Sequence, residues 1–345
     1  MRTEISFAIG LALLASSALA ADGAGKPPAS PAFKITKLVS NQAGKAKNTD
    51  PNLVNPWGLS QSPGSGPVWV SDNGSGLSTV YTQGTGKNTG TVVTIPDGDP
   101  TGQVYVPAGA GFNVTENGKN GASVFLFDSE AGVITGWAPS VDPDNAIIAY
   151  DGSANGSVYK GLALDTSSKL LFAADFTNDQ VQVFDNQFNL KSSFTDSSLK
   201  GYGPFDVAII NGSVYVAFAK QGKKCCDEKD GPGLGYIDIF GEDGTLQKQL
   251  VAKGHLNAPW GLAIAPSTFG TFAGSLLVGN FGDGWINAYD PGTGSYLGAL
   301  SDKKGKPLAI SGLWALDPVP NGDITFSAGP NGEKNGLLGL ITVQK

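Results

Sequence analysis

Pro56-Trp57-Gly58-Leu59 returns later in the chain as Pro259-Trp260-Gly261-Leu262. Weaker copies lie between and after: Gly111-Phe112-Asn113-Val114, Lys160-Gly161-Leu162-Ala163, Pro204-Phe205-Asp206-Val207 and Ser311-Gly312-Leu313-Trp314. The spacing is about fifty residues, in the range of β-propeller blades. Each copy is followed by a β-rich run, a Gly/Asn/Asp turn and another β-rich run. Short alternating runs with frequent turn residues, and no sustained 3.6-residue apolar period, make the chain all-β.

Working outward, the first copy leads into Val68-Trp69-Val70-Ser71, Thr79-Val80-Tyr81 and Thr91-Val92-Val93. These read as four strands, innermost to outermost. The copies at 160, 205 and 260 do the same. The second is the least regular, with Val124 to Phe127 and Val133 to Trp137 expected as its outer pair. The sixth stops one strand short. Phe33-Lys34-Ile35-Thr36-Lys37-Leu38-Val39 alternates like a strand but precedes the first blade, so it fits the gap. Closure by this strand removes two open sheet edges. The expected architecture is a single six-bladed propeller over residues 33–345.

The chain has 345 residues, 40% hydrophobic and only 15% charged, with 49 Gly, well above the usual share of about 7%. Net charge is −7 and no Lys/Arg stripe is interleaved with aromatics, which argues against nucleic acid or an anionic membrane surface as a partner. At the N-terminus Arg2, the apolar run Ile5 to Leu14 and the small-x-small site Ala18-Leu19-Ala20 read as a secretory signal peptide over residues 1–20. That run is too short to span a bilayer comfortably. Residues 21–32, rich in Ala, Gly and Pro, read as a flexible leader. The expected mature protein is secreted or periplasmic, without a membrane span.

Several stretches resemble a family of secreted, mostly bacterial proteins with a six-bladed, NHL-like propeller fold. They are Asn52-Leu53-Val54-Asn55-Pro56-Trp57-Gly58-Leu59, Leu171-Phe172-Ala173-Ala174-Asp175-Phe176, Leu256-Asn257-Ala258-Pro259-Trp260-Gly261-Leu262-Ala263, Leu277-Val278-Gly279-Asn280-Phe281-Gly282 and Ala328-Gly329-Pro330-Asn331-Gly332-Glu333. The resemblance covers nearly all of the chain after the leader and implies a fold, but no reaction. More distantly the chain is similar to gluconolactonase- and paraoxonase-type calcium propeller hydrolases, on fold alone. Those enzymes place Asn or Asp where this chain has Trp57, Phe205 and Trp260, which would remove ligands of such a calcium site.

In a propeller, the start of each inner strand and the end of each second strand meet at one end of the central channel. The residues expected there are Trp57, Phe112, Lys160, Phe205, Trp260 and Ser311, followed by Asp72, Asp175, Lys220 and Asn280, with Asp206 one step into the channel. Aromatic faces beside hydrogen-bonding groups suit a small molecule, a glycan or an extracytoplasmic protein partner. The same rings equally serve as wedges between blades, and Asp or Asn after a strand caps a turn. Asp72, Asp175 and Asp206 are the carboxylates available to a hydrolase or lyase, and Ca²⁺ is the one cofactor they would suit. A third reading is a structural envelope or extracellular component. His255, the only histidine, is near this end; it cannot by itself build a zinc site, but it joins these carboxylates as a candidate for acid–base work in a lyase. Cys225 and Cys226 are adjacent and are the only cysteines. A vicinal disulfide, free or intermolecular thiols, and a two-thiolate metal site all remain open for them.

Overall fold

The computed structural model describes residues 31–64, 66–223 and 226–344. The expected signal peptide and nearly all of the leader lie outside them. The described chain forms six sheets of four or more strands, each strand antiparallel to its neighbour apart from the short parallel pairing of Val39 and Ser40 with Asn48 and Thr49. Blade one is Pro56–Gln61, Val68–Asp72, Leu77–Tyr81 and Asn88–Thr94, in that order. Blades three, four and five begin on Tyr159–Asp165, Tyr202–Ile210 and Pro259–Ile264 and follow the same order.

Blade six is built from both ends of the described chain. Its strands Leu313–Pro318, Ile324–Ala328 and Leu337–Gln344 are completed by Ala32–Ser40. Phe33 pairs with Val343 and Ile35 with Ile341, with a bulge between Lys37 and Val39. The alternation of this strand explains its choice of partner. Phe33 is fully buried against Phe269, 5.0 Å away between ring centroids, so the closing strand also stitches blade six to blade five.

Blade two departs from the expectation. Its inner strand is Pro100–Tyr105, followed outward by Phe125–Ser129, Val133–Trp137 and Ile147–Asp151. The runs expected as an outer pair are therefore its second and third strands. Gly111-Phe112-Asn113-Val114 starts no blade. It leads into a separate hairpin, Asn113–Glu116 with Lys119–Ala122, inserted between the first and second strands. Such an insertion leaves the blade from the end of its inner strand, so it sits at the opposite end of the sheet from the strand start. The signal for the true start was Pro100-Thr101-Gly102, which repeats the Pro-x-Gly of the first and fifth blades.

The inner strands approach closely, and glycine makes this approach feasible. A Cβ on Gly58 would lie 2.6 Å from the Thr101 carbonyl oxygen, and one on Gly102 would lie 2.3 Å from the Leu162 amide nitrogen. Between blades, apolar faces pack in the ordinary way: Trp69 stacks on Phe125 at 4.2 Å. Among the described residues no helix is long and apolar enough to cross a membrane.

Candidate functional site

The six inner strands bring Trp57, Thr101, Lys160, Phe205, Trp260 and Trp314 to one level of the channel, each one residue before the narrow glycine level. Four of the residues expected there are present. Phe112 is not: it is fully buried far down the same blade, against Phe188 at 5.4 Å, with its amide donating to the Asn186 carbonyl. Thr101 takes its place. Ser311 is likewise replaced by Trp314, because the inner strand of blade six begins two residues after Ser311.

The rings face one another. Trp57 stacks on Trp314 at 3.5 Å, and Phe281 stacks on the same indole at 4.2 Å. Trp260 meets both tryptophans edge-on, and Phe205 and Phe176 fill the remaining side. Trp57, Phe205, Trp260 and Trp314 are all buried. The cluster is thus a plug across the channel, and its faces are spent on each other. Phe176, Phe281 and Trp314 are members that the repeat pattern did not pick out.

Polar groups are layered over this plug. Lys160 is buried against it, with its ammonium 5.2 Å from the Trp57 ring centroid and 5.8 Å from that of Phe176. It is ion-paired with Glu130. Removing a lysine from water requires such a partner, and the ring faces add cation–π attraction. Asn73 donates to the other Glu130 oxygen at 3.0 Å, and Asn55 donates to Asn73 at 3.1 Å and to Glu333 at 3.0 Å. The Trp314 indole donates to Asn55 at 3.0 Å, and the Trp260 indole to the Lys160 carbonyl at 2.9 Å. Trp57 Nε1 is buried without an acceptor among the described residues. Asn55 holds a left-handed backbone, φ 45°, directly before Pro56; an asparagine tolerates this, and there its amide reaches three partners.

Acid dominates the rim. Burial pushes the Glu228 carboxyl up to about 7, opposed by Lys160 and reinforced by Glu333 and Asp227. Burial also raises Glu333, against the hydrogen bond from Asn55, and Glu130 adds to the rise. Asp99 is raised by burial and by Glu130. Lys160 therefore pairs with Glu130 and acts on Asp99, Glu228 and Glu333.

The other expected residues are bound up inside their blades. Asp175 is fully buried and accepts from Ser157 at 2.9 Å, from the Val158 amide at 3.2 Å and from Asn178 at 2.9 Å. Asp72 accepts from Thr79 at 2.7 Å, and burial holds its carboxyl well above the usual range. Asn280 is fully buried, donating to the His255 carbonyl at 2.8 Å and accepting from the Asn257 amide at 3.2 Å. These residues end the second strands of blades three, one and five. Asp175 and Asn280 also tie those strands to the turn that launches the inner strand. His255 stacks its exposed imidazole on Tyr296 of the outer strand, 3.8 Å away, and takes no part in the plug. Cys226 is disulfide-bonded, and Cys225 lies outside the described residues. Among the described residues no three His, Cys, Asp or Glu side chains converge on one point.

Comparison with known proteins agrees with this architecture. The chain resembles solved propellers of differing roles: the WD40 domain of Doa1 (TM-score 0.53, 12% identity, 91% of this chain and 98% of that one) and a streptogramin B lyase (TM-score 0.52, 10% identity, 90% and 98%). At such identities the likeness extends to the fold alone. No protein-family model matches the chain. Two uncharacterized proteins of Acanthamoeba polyphaga mimivirus are 31% and 32% identical to it, each over 325 residues, covering 90% of this chain and 80% and 85% of their own lengths. The chain belongs to the family of β-propeller proteins that these two mimivirus proteins represent.

Proposed function

We propose that the protein is an exported binding propeller that recognises a basic, donor-rich segment of a partner protein at the acidic rim over the ring plug. The observation that carries this reading is the division of labour at this end of the channel. The rings are packed together, whereas Glu130, Glu228 and Glu333 are drawn toward Lys160 from three other blades. A cationic segment supplies the donors and the charge that this rim lacks, and charge complementarity governs both specificity and encounter rate. A hydroxyl-rich glycan satisfies the carboxylates less fully, because it brings no positive charge. A hydrolytic reading through Asp72 or Asp175 has less support, since both carboxyls are enclosed within their blades.

The test is titration of a fluorescent Lys/Arg-rich peptide against the mature chain at two salt concentrations. We expect saturable binding that weakens with salt and strengthens as pH rises through about 7, where Glu228 ionises. Glu228→Gln and Glu333→Gln should each cost about 1 kcal/mol of binding, the scale of a partly exposed charge pair. A peptide that binds both variants as it binds the parent would refute the rim as the site. Export rests on the Ala18-Leu19-Ala20 motif. Intact mass of protein recovered outside the cytoplasm should correspond to a chain starting at Ala21, and a mass that includes Met1 would overturn it.

A further inference from the structure

Below the plug the inner strands enclose a cavity of about 250 Å³. It runs from Trp260 and Gly261 along the strands to Val104, Leu164 and Ile209, whose partial exposure marks its far end. At the level just under the rings, four blades present Gly58, Gly102, Gly161 and Gly261, and blade six presents Ala315. Blade four presents Asp206. The fold uses small residues at this level because the inner strands nearly touch. A Cβ on Gly161 would lie 2.3 Å from Asp206 Oδ1. A carboxylate here has no structural partner that explains it. Beyond the amide of the adjoining Val207, no described residue donates to it, and the charged group that acts on it is another acid, Asp128. It is more than nine-tenths buried, 8% exposed, and lines the cavity. Asp128 itself accepts from Thr101 at 2.8 Å with one oxygen and leaves Oδ2 buried without a partner.

We propose that this cavity is a binding site for a small organic ammonium ion, a primary amine on a short apolar chain, with Asp206 as its counter-ion. Buried with neither a cation nor a side-chain donor, the Asp206 carboxyl is held in its neutral form, and a cation seated beside it would let it ionise. The walls call for an apolar body: Leu59, Val104, Leu162, Leu164, Leu262 and Leu316 line the tube. Gln103, which also lines it, is engaged within the fold, donating to the Trp69 carbonyl and accepting from Ser71 at 3.4 Å. Ca²⁺ wants six to eight oxygens, whereas the lining offers the one carboxylate of Asp206. The volume lies just under the roughly 300 Å³ at which pockets begin to hold drug-sized molecules, which selects a small ion.

The experiment is calorimetric or NMR titration of the full mature chain with methylammonium, butylammonium and benzylammonium, and with benzyl alcohol as the neutral control. We expect benzylammonium to bind saturably and the alcohol to bind at least about tenfold more weakly, a difference of about 1.4 kcal/mol. Asp206→Asn should weaken the ammonium by the same factor. Asp206→Gly, which installs the residue four other blades carry, is the variant that keeps the fold if the amide does not, and it too should lose binding. Asp144→Asn, an exposed carboxylate on the loop before the outer strand of blade two, should leave the affinity unchanged. The proposal fails if none of the three ions binds, if alcohol and ammonium bind alike, if Asp206→Gly retains binding, or if Asp144→Asn abolishes it.

Discussion

The two ends of the central channel are made from the same six strands and solve opposite problems. At the end where the inner strands begin, four large rings and a buried lysine close the axis, and hydrogen bonds through Asn55 and Asn73 tie the plug to the rim. One residue further along, the side chains shrink to glycine and alanine and the axis opens into a cavity. The difference comes from the radial geometry. Strands that converge on an axis either fill it with side chains or let their backbones meet, and each blade alternates between the two within a pair of residues. Stability is therefore expected to concentrate at the plug, and ligand chemistry at the places where the alternation is broken.

The sharpest way to break this contrast is to hollow out the plug. Trp314→Ala removes the indole that stacks on both Trp57 and Phe281, and should cost about 3–5 kcal/mol in chemical denaturation. A loss below about 1 kcal/mol would show that the rings do not carry the channel. Next in size is Gly102→Ala, whose new methyl meets the Leu162 backbone. It should cost about 1–3 kcal/mol through overpacking, whereas the same change at Gly44, which has open space around it but φ 72°, tests backbone strain alone.

A smaller effect sharpens the contrast at Asp206. Burial, with Asp128 adding, holds its carboxyl well above the usual range in the folded protein. The folded state then binds the proton more tightly than the unfolded state, so stability falls as pH rises above the ordinary aspartate value of about 4. Asp206→Asn should remove part of that fall, seen as a Tm that declines less than the parent's between pH 5 and pH 7. Parallel curves would mean that Asp206 is ionised and partnered in the fold. Smallest of all is Lys160→Met. Glu130 keeps Asn73 and partial exposure, so the change should stay within about 1 kcal/mol, measured by denaturation.

Much of this was legible in the residues. Each blade carries its own alternation and turns, and those are local properties. The spare strand at 33–39 announced the closure because an alternating segment without a blade has one open edge to fill. Trp57, Lys160, Phe205 and Trp260 were placed at the channel because each sits at the same step of a repeated phrase. Blade two was misread for a physical reason. Gly111-Phe112-Asn113-Val114 imitates the phrase, yet Phe112 finds its burial against Phe188 and its hydrogen bond at Asn186, both in the next blade. A local pattern does not reveal which neighbour will satisfy it.

By itself, then, the order of residues determined the blade architecture, the ring closure and five of the six strands that meet on the axis, since periodicity and turn chemistry act over a few residues. Only the tertiary structure decided what those strands do when they meet. It turned the aromatic rings toward one another instead of toward solvent. It gathered Glu130, Glu228 and Glu333 around Lys160 from four separate blades. It also showed Asp206 to be a carboxylate in a place where the backbone spacing favours glycine. Those outcomes depend on distances between residues far apart in the chain, and such distances exist only once the ring has closed.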